Sequence, residues 1–389
     1  MIASGELITS WVSQLVRIPS VNPLHGGPSC GMPGEKAIAT HLAEVFRQLG
    51  ATEVVLDPVI DDRPNVYGLF RGRSDRLVAI DIHTDTVTVE NMTDPPFDGR
   101  IENGFVWGRG SLDTKASMGI VCALIETWRA AGLTPEPSLL VVGSISEEAG
   151  GLLGATAFRR WAEDRDLAID QLVICEPTDC APIHGHKGAV AMRIIVLGES
   201  AHSSTPERGH NAIYGAAKVI SALEAHHFDL VAQAPTTEVG TGTLVVSMIN
   251  GGIAGNVVPD RCELMVGRRI APGEDVQTVY DGIVALATAA CPLPISVVPV
   301  FLTPEGLPGS PAFYQSPDSD LVRTLAAGAG SHPATAPFGT NALRYSGFAR
   351  EKVIFGPGNI EDAHRSTECV SIAELERTAR AYTKWLNPT

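Results

Sequence analysis

No block of Lys and Arg occurs anywhere in this chain of 389 residues, and its formal charge is −15. A phosphate-binding surface needs clustered cations, so nucleic acid and anionic membrane are not expected partners. No stretch approaches the ~18 uninterrupted apolar residues that a membrane-crossing helix requires. The segment from Met1 to Ser10 has no basic region followed by an apolar run, so no secretory signal is expected. The seven cysteines are an odd number without framework spacing. The closest pair, Cys175 and Cys180, fits neither Cys-x-x-Cys nor a zinc-knuckle pattern. They read as reduced, buried thiols, and the expected compartment is the cytoplasm. A Gly-x-Ser-x-Gly elbow and a Walker-type phosphate loop are both absent. No Cys sits in a recognisable catalytic context, so serine and cysteine hydrolases are disfavoured.

What the chain does have is ordinary globular composition, with 44% hydrophobic and 19% charged residues. Its length exceeds what one core normally supports, so two domains are expected. The first half alternates helical and extended patterns. Apolar residues Ile38, Leu42, Val45, Phe46 and Leu49 recur at helical spacing up to Gly50, and Met118, Val121, Cys122 and Ile125 do so before Gly132. Strands at Leu77, Leu139 and Leu172 are continuous apolar runs, as expected of strands covered on both faces. Such alternation predicts an α/β unit, a mostly parallel mixed sheet with helices on both faces.

The pattern changes after Pro182. A strand at Ala189–Leu197, a helix at Ala212–Ala225, strands at Thr243–Ile249 and Val257–Val266, a helix at Asp275–Ala290 and an extended Ile295–Phe301 follow. This β-α-β-β-α-β order is the ferredoxin-like α+β arrangement. The expected organisation is a discontinuous catalytic domain, residues 1–182 and 302–389, interrupted by an inserted domain at 183–301.

Chemistry-bearing residues gather where the apolar strands run out, the edge at which open α/β sheets place their ligands. Leu77-Val78-Ala79-Ile80 leads to Asp81-Ile82-His83-Thr84-Asp85, Leu139–Val142 to Glu147-Glu148, and Leu172–Cys175 to Glu176. His83 and Asp85, two apart, point the same way on an extended chain, and a ligating imidazole needs a partner on its other nitrogen. Glu147 and Glu148 project oppositely on an extended backbone, so one can ligate while the other takes a proton from water. Asp113 follows the glycine-loosened Gly108-Arg109-Gly110, where helix capping by Ser111 or Asp113 is the plainer alternative. His364 follows the strand Lys352–Phe355. Jointly, two His and three carboxylates with a spare base suit two divalent ions.

The order and local wording of these segments resemble the cocatalytic di-zinc metallopeptidases that include acetylornithine deacetylase, succinyl-diaminopimelate desuccinylase, aminoacylases and bacterial glutamate carboxypeptidase. The resemblance runs over nearly the whole chain. It implies that His83 and Glu176 bind one metal, Glu148 and His364 the other, and that Asp113 bridges them. Glu147 would be the general base, with Asp85 holding His83. The inserted domain would be the lid and the dimerisation domain of a homodimer. Ser200-Ala201-His202-Ser203-Ser204-Thr205-Pro206 resembles a segment whose His stabilises the oxyanion in a neighbouring active site. Asn256, Arg269 and the Gly339-Thr340-Asn341 loop resemble substrate-binding positions, and Arg suits a carboxylate. Ile82, Gly267 and Asn341 depart from the family's usual Gly, Asp and Asp, which points to a substrate away from the best-known members.

The implied reaction is metal-dependent hydrolysis of an amide C–N bond, first of all deacylation of an N-acyl amino acid or related small carboxylate. Each subunit would hold two divalent ions, Zn before Mn or Co. A carboxypeptidase, a dipeptidase, or a deaminase or carbamoyl hydrolase on the same centre are the alternatives within chemistry. A non-catalytic small-molecule binding protein is the alternative outside it, and the intact Glu147 argues against that. His184 and His186 lie at the expected hinge without an assigned role. His41, His226 and His227 read as surface or packing residues.

Overall fold

The computed structural model describes residues 1–233, 237–303 and 305–389. It divides into two compact units. The first comprises Met1–His184, Gln315–Ala334 and Thr340–Thr389, and the second Gly185–Tyr314 with Thr335–Gly339.

Six strands of the first unit lie in the order Glu53–Ile60, Arg63–Phe70, Ser138–Ser144, Leu77–His83, Ile169–Ile174, Ala349–Ile354. The first two form an antiparallel hairpin, and the second also runs antiparallel to Ser138–Ser144. The remaining neighbours are parallel. Those four parallel strands therefore finish at one edge. Every residue of Ser138–Ser144 and all but the first of Leu77–His83 are buried, which explains why both read as unbroken apolar runs.

Side-chain alternation splits the sheet between two cores. Val66, Val78, Ile80, Leu139, Val141, Val173 and Val353 pack with the helices Gly5–Val16, Lys36–Gln48, Lys115–Ala130, Asp320–Ala329 and Ile372–Leu386. On the other side Tyr67 meets Phe158 and Trp161 of the helix Leu153–Glu163, and Phe158 meets Tyr345 and Phe348. Helices thus cover both faces.

The second unit holds an antiparallel sheet in the order Thr243–Gly251, Arg261–Ile270, Gly188–Leu197, Ile295–Pro299. Gly188–Leu197 alternates buried and less buried residues. Its buried side, Val190, Met192, Ile194 and Val196, packs against Ala212, Ala216, Val219 and Leu223 of one helix and Ile283 and Ala287 of the other. The element order is the β-α-β-β-α-β expected from the sequence.

Two boundaries differ from the sequence reading. The helix from Ala212 continues to Gln233. The strand expected at Val257–Val266 runs instead over Arg261–Ile270. Residues 256–260 are diverted locally: Val258 N donates to Ala201 O at 2.8 Å, Ser203 N to Asn256 O at 3.0 Å, and Ala212 N to Pro259 O at 2.8 Å. Pro259 has no amide hydrogen to give a ladder, so pairing with the next strand begins only beyond it.

Candidate metal centre

The edge where the four parallel strands finish collects most of the residues singled out above. His83 ends its strand and is buried. Its Nδ1 meets the carbonyl oxygen of Asp85 at 3.0 Å and its Nε2 meets Asp113 Oδ1 at 3.0 Å. Glu176 Oε2 lies 4.0 Å from the same Nε2. His364 Nε2 lies 3.2 Å from the other Asp113 oxygen and 3.1 Å from Glu148 Oε2. Asp113 therefore stands between two imidazoles, with one oxygen toward each. Ligand atoms of His83, Glu147 and Glu176, and of His83, Asp113 and Glu148, fall within 4.8 Å of one another.

Geometry corrects two details. Glu147 and Glu148 do not sit on an extended strand end. The chain leaves Ser144, turns at Ser146 with a positive φ of 61°, and carries both residues on a bend. Their side chains still diverge, Glu148 toward His364 and Glu147 toward His83 and Glu176. The Asp85 carboxylate, expected to orient His83, stands 3.7 Å from it. It accepts instead the amide hydrogens of Glu147 and Glu148, each at 3.1 Å. The His83 partner is the backbone carbonyl of Asp85.

The same device recurs around the site. Glu368, buried, accepts the amide hydrogens of Gly110, Leu112 and Asp113 at 2.8, 3.1 and 3.3 Å and pairs with the buried Arg109 guanidinium. The helix thought to be capped by Ser111 or Asp113 begins at Lys115 with no side-chain cap; the loop before it is shaped by Glu368. Glu35, also buried, pairs with Arg63 at 2.6 Å, and Arg63 donates to Ser146 Oγ at 2.9 Å. Asn22 donates to Asp85 and to the Ala149 carbonyl. Carboxylates accepting several backbone amides hold a loop in one shape, and such charge-assisted bonds are the strong ones. Sequence reasoning missed Glu35, Arg63, Glu368 and Arg109 in this role.

Asn341 is held beneath the His83 strand by side-chain hydrogen bonds. It is buried, donating to Asp81 Oδ2 at 3.0 Å and Ser144 Oγ at 3.2 Å, and Tyr345 donates to the same Asp81 oxygen at 2.6 Å. Thr340 is buried too and accepts the Ala342 amide at 3.1 Å. Gly339, His202, Asn256 and Arg269 belong to the second unit. There the 201–203 segment pairs with 256–258, which brings His202 and Asn256 onto neighbouring turns. Arg269 is exposed, while its neighbour Arg268 is buried and paired with Glu274. His184 bonds the Gln315 carbonyl and His186 the Lys187 carbonyl. Burial lowers the His186 imidazole to about 4.

Five acids crowd two imidazoles here, and protonation adjusts accordingly. Burial, then the neighbouring acids, pushes Glu147 up to about 8, despite the opposing His83 charge. Burial and the Asp113 charge raise Glu148 to about 7. Burial and the Glu147 charge raise Glu176 well above the usual carboxylate range. Bonds to Asp113 and Glu148 lift His364 to about 10. Burial would lower His83, but Asp113 and the acids around it outweigh that and raise it. Burial would also raise Asp113, but the two imidazoles hold it below its usual range. Glu176 Oε1 is buried with no hydrogen-bond partner among the described residues. An orphan carboxylate oxygen within an oxygen- and imidazole-rich cluster is the donor set that divalent ions of the Zn, Mn and Co kind take. The residues fit such a group.

A model described as a peptidase dimerisation domain matches residues 184–293. The protein YgeY of Escherichia coli is 32% identical over 72% of this chain, and the match spans 65% of YgeY, just under two thirds of its length. Acetylornithine deacetylase of Myxococcus xanthus is 30% identical over 71% of this chain and 70% of its own. The chain belongs to the M20 metallopeptidase family. A probable carboxypeptidase of Aspergillus oryzae is 27% identical over 98% of this M20 chain and 90% of its own. Among solved structures, a Staphylococcus aureus tripeptidase superposes with a TM-score of 0.75 at 19% identity, covering 99% of this chain and 98% of that one. The M20 family metallo-carboxypeptidase Sso-CP2 of Sulfolobus solfataricus gives 0.73 at 17%, covering 97% and 98%. These two share the M20 fold with it.

Two measurements follow from the clamps and the charge. Glu368→Ala strands the Arg109 guanidinium and three amide donors. It should cost about 3–5 kcal/mol in denaturant unfolding; a loss below about 1 kcal/mol would show that the loop holds itself. The metal-free fold also carries a sign. Glu147 and Glu148 keep protons up to about 8 and 7 when folded, against 4.5 when unfolded. The folded chain therefore binds more protons across that window, and its stability falls as pH rises. His364 adds in the same direction: its stabilisation is complete below 6.5 and is lost toward 10. The melting temperature of chelator-treated protein should drop between about pH 5.5 and about pH 8, and added Zn or Mn should raise it more at the upper value. The reverse order would contradict the picture.

Proposed function

We propose that this protein is a di-metal hydrolase of amide C–N bonds, with N-acyl amino acids or related small carboxylates as first substrates. The single observation that carries the reading is Asp113, set between His83 and His364 with Glu147 close to His83 and Glu176. His83 and Glu176 would hold one divalent ion, Glu148 and His364 the other, and Asp113 both. When bound, such a pair polarises a carbonyl and lowers the pKa of water.

The side chains around the site divide the remaining work. Glu147 takes the proton of the attacking water and returns it to the departing amine, a role for a carboxylate that is not spent on a ligand bond. Asp85, through two backbone amides, fixes the bend from which Glu147 projects, and through its carbonyl it orients His83. His202, contributed by a second copy of the chain, donates to the developing oxyanion. Arg269 and Asn256 meet the substrate's carboxylate, for which a guanidinium offers two donors. Asn341 shapes the site from beneath, through Asp81 and Ser144, and Gly339 and Thr340 carry the loop to it.

The catalytic domain is discontinuous, 1–182 with 302–389, and 183–301 is the lid through which two chains pair. Exposed Val245, Met248 and Ile249 along the edge strand Thr243–Gly251 suit such pairing. Zn is the expected metal, with Mn or Co as substitutes. The compartment is the cytoplasm, in keeping with seven free cysteines, six of them buried. Among the described residues no helix is long and apolar enough to cross a membrane.

A second reading, cleavage of a carboxyl-terminal residue or a dipeptide, is favoured by the alignment to a probable carboxypeptidase over almost the full chain. A panel of N-acyl amino acids and dipeptides, with ammonia release followed in parallel, separates the readings on metal-replete protein. Turnover should concentrate on the acylated amino acids. Glu147→Gln should lower kcat by on the order of 10²–10⁴ while metal content holds. Near-normal turnover in that variant would remove Glu147 from its role.

A further inference from the structure

His202 sits on an exposed turn whose backbone is tightly specified. Its residue pairs with Val257 in an isolated bridge, Val258 N donates to Ala201 O, and Thr205 N donates to the His202 carbonyl at 2.9 Å. On this turn Ser204 returns to the imidazole twice. Its backbone N–H points at His202 Nδ1 at 3.2 Å, and its hydroxyl oxygen lies 2.7 Å from the same nitrogen.

A backbone N–H can only donate. Nδ1 must therefore present its lone pair, because a proton on Nδ1 would face the proton of Ser204 N. With Nδ1 an acceptor, the Ser204 hydroxyl is a donor as well. The neutral ring then has a single place for its proton, Nε2.

We infer that Ser204 is a positioning residue that locks His202 in the Nε2–H tautomer, so that this imidazole meets its ligand as a neutral hydrogen-bond donor. The inference deepens the oxyanion role given to His202 and rests on that reading for its catalytic consequence. The physical gain is preorganisation. A free imidazole divides between two tautomers and rotates about its side-chain bonds, whereas a ring held through Nδ1 keeps one donor at one edge. Stabilising a developing negative charge depends on donors already aimed before the charge appears. The arrangement is the same in kind as that of metal-ligating imidazoles, where the bond made by one nitrogen decides what the other carries. Here a hydroxyl and an amide, rather than a carboxylate, make that choice.

The test uses the full-length, metal-replete protein labelled with ¹⁵N at histidine, with the His202 signals assigned by their loss in His202→Gln. The expected spectrum shows Nδ1 as a pyridine-type nitrogen and Nε2 as a protonated, pyrrole-type nitrogen. Ser204→Ala removes the hydroxyl and keeps the amide donor, so the two signals should move part of the way toward the tautomer average, and kcat should fall about three- to tenfold with KM little changed. Ser204→Thr, which keeps hydroxyl and amide, should restore both spectrum and rate. A wild-type spectrum with the proton on Nδ1 would overturn the inference. So would a Ser204→Ala spectrum identical to wild type. The oxyanion role is read separately: His202→Gln should lower kcat on the order of 10²-fold. Full activity in that variant, with the Nε2–H form intact in wild type, would remove the oxyanion role while supporting the assignment to Ser204.

Discussion

Negative charge concentrated at one sheet edge is the constraint around which the first unit is organised. Glu147, Glu148 and Glu176 follow parallel strands and Asp113 the loop before the helix Lys115–Ala130, and only two imidazoles answer these four acids. Two like unit charges 4 Å apart repel by about 4 kcal/mol even at an effective dielectric constant of 20. The metal-free protein relieves this by keeping Glu147, Glu148 and Glu176 protonated well above the usual carboxylate range. Cations would relieve it differently, by making the ionised forms favourable. The same cluster is therefore costly to the bare fold and well suited to metal, which is the trade that functional sites make against stability.

Holding such a cluster open requires rigid loops, and the chain supplies them through buried acids of a second kind. Glu368 gathers three amides of the 110–113 loop, Asp85 gathers those of Glu147 and Glu148, and Glu35 with Arg63 grips Ser146. Each converts an irregular segment into a fixed platform by satisfying donors that would otherwise be buried without partners. The Asn341–Asp81–Tyr345 group does the same beneath His83. In the second unit the logic recurs on a smaller scale, where Ser204 fixes the ring of His202.

Much of this was legible in the sequence because apolar runs and their endings are local signals. Leu77–Ile80, Leu139–Val142 and Leu172–Cys175 announced parallel strands, and the ligating residues followed each within a few positions. The β-α-β-β-α-β order of the second unit was equally visible. The failures have physical causes. A strand was placed at Val257–Val266, yet Pro259 and the pairing of 256–258 with 201–203 delay its start to Arg261. Asp85 was given to the His83 ring because two-residue spacing fits an extended chain, but the chain turns at Ser146 and brings two amides to that carboxylate instead. Asn341 lies buried on Asp81, a contact across 260 residues that no local signal announces. Glu35, Arg63, Arg109 and Glu368 were invisible for the same reason. A charged residue reveals its burial only through a partner distant in sequence.

The central claim is that His83, Asp113, Glu148, Glu176 and His364 together hold a pair of divalent ions. Elemental analysis of the protein purified without added chelator, repeated on Asp113→Ala, tests it most directly. The account predicts close to two ions per chain in the wild type and a loss of binding at both positions in the variant, because a single carboxylate serves both. Fewer than one tightly held ion per chain in the wild type, or two ions retained without Asp113, would contradict it.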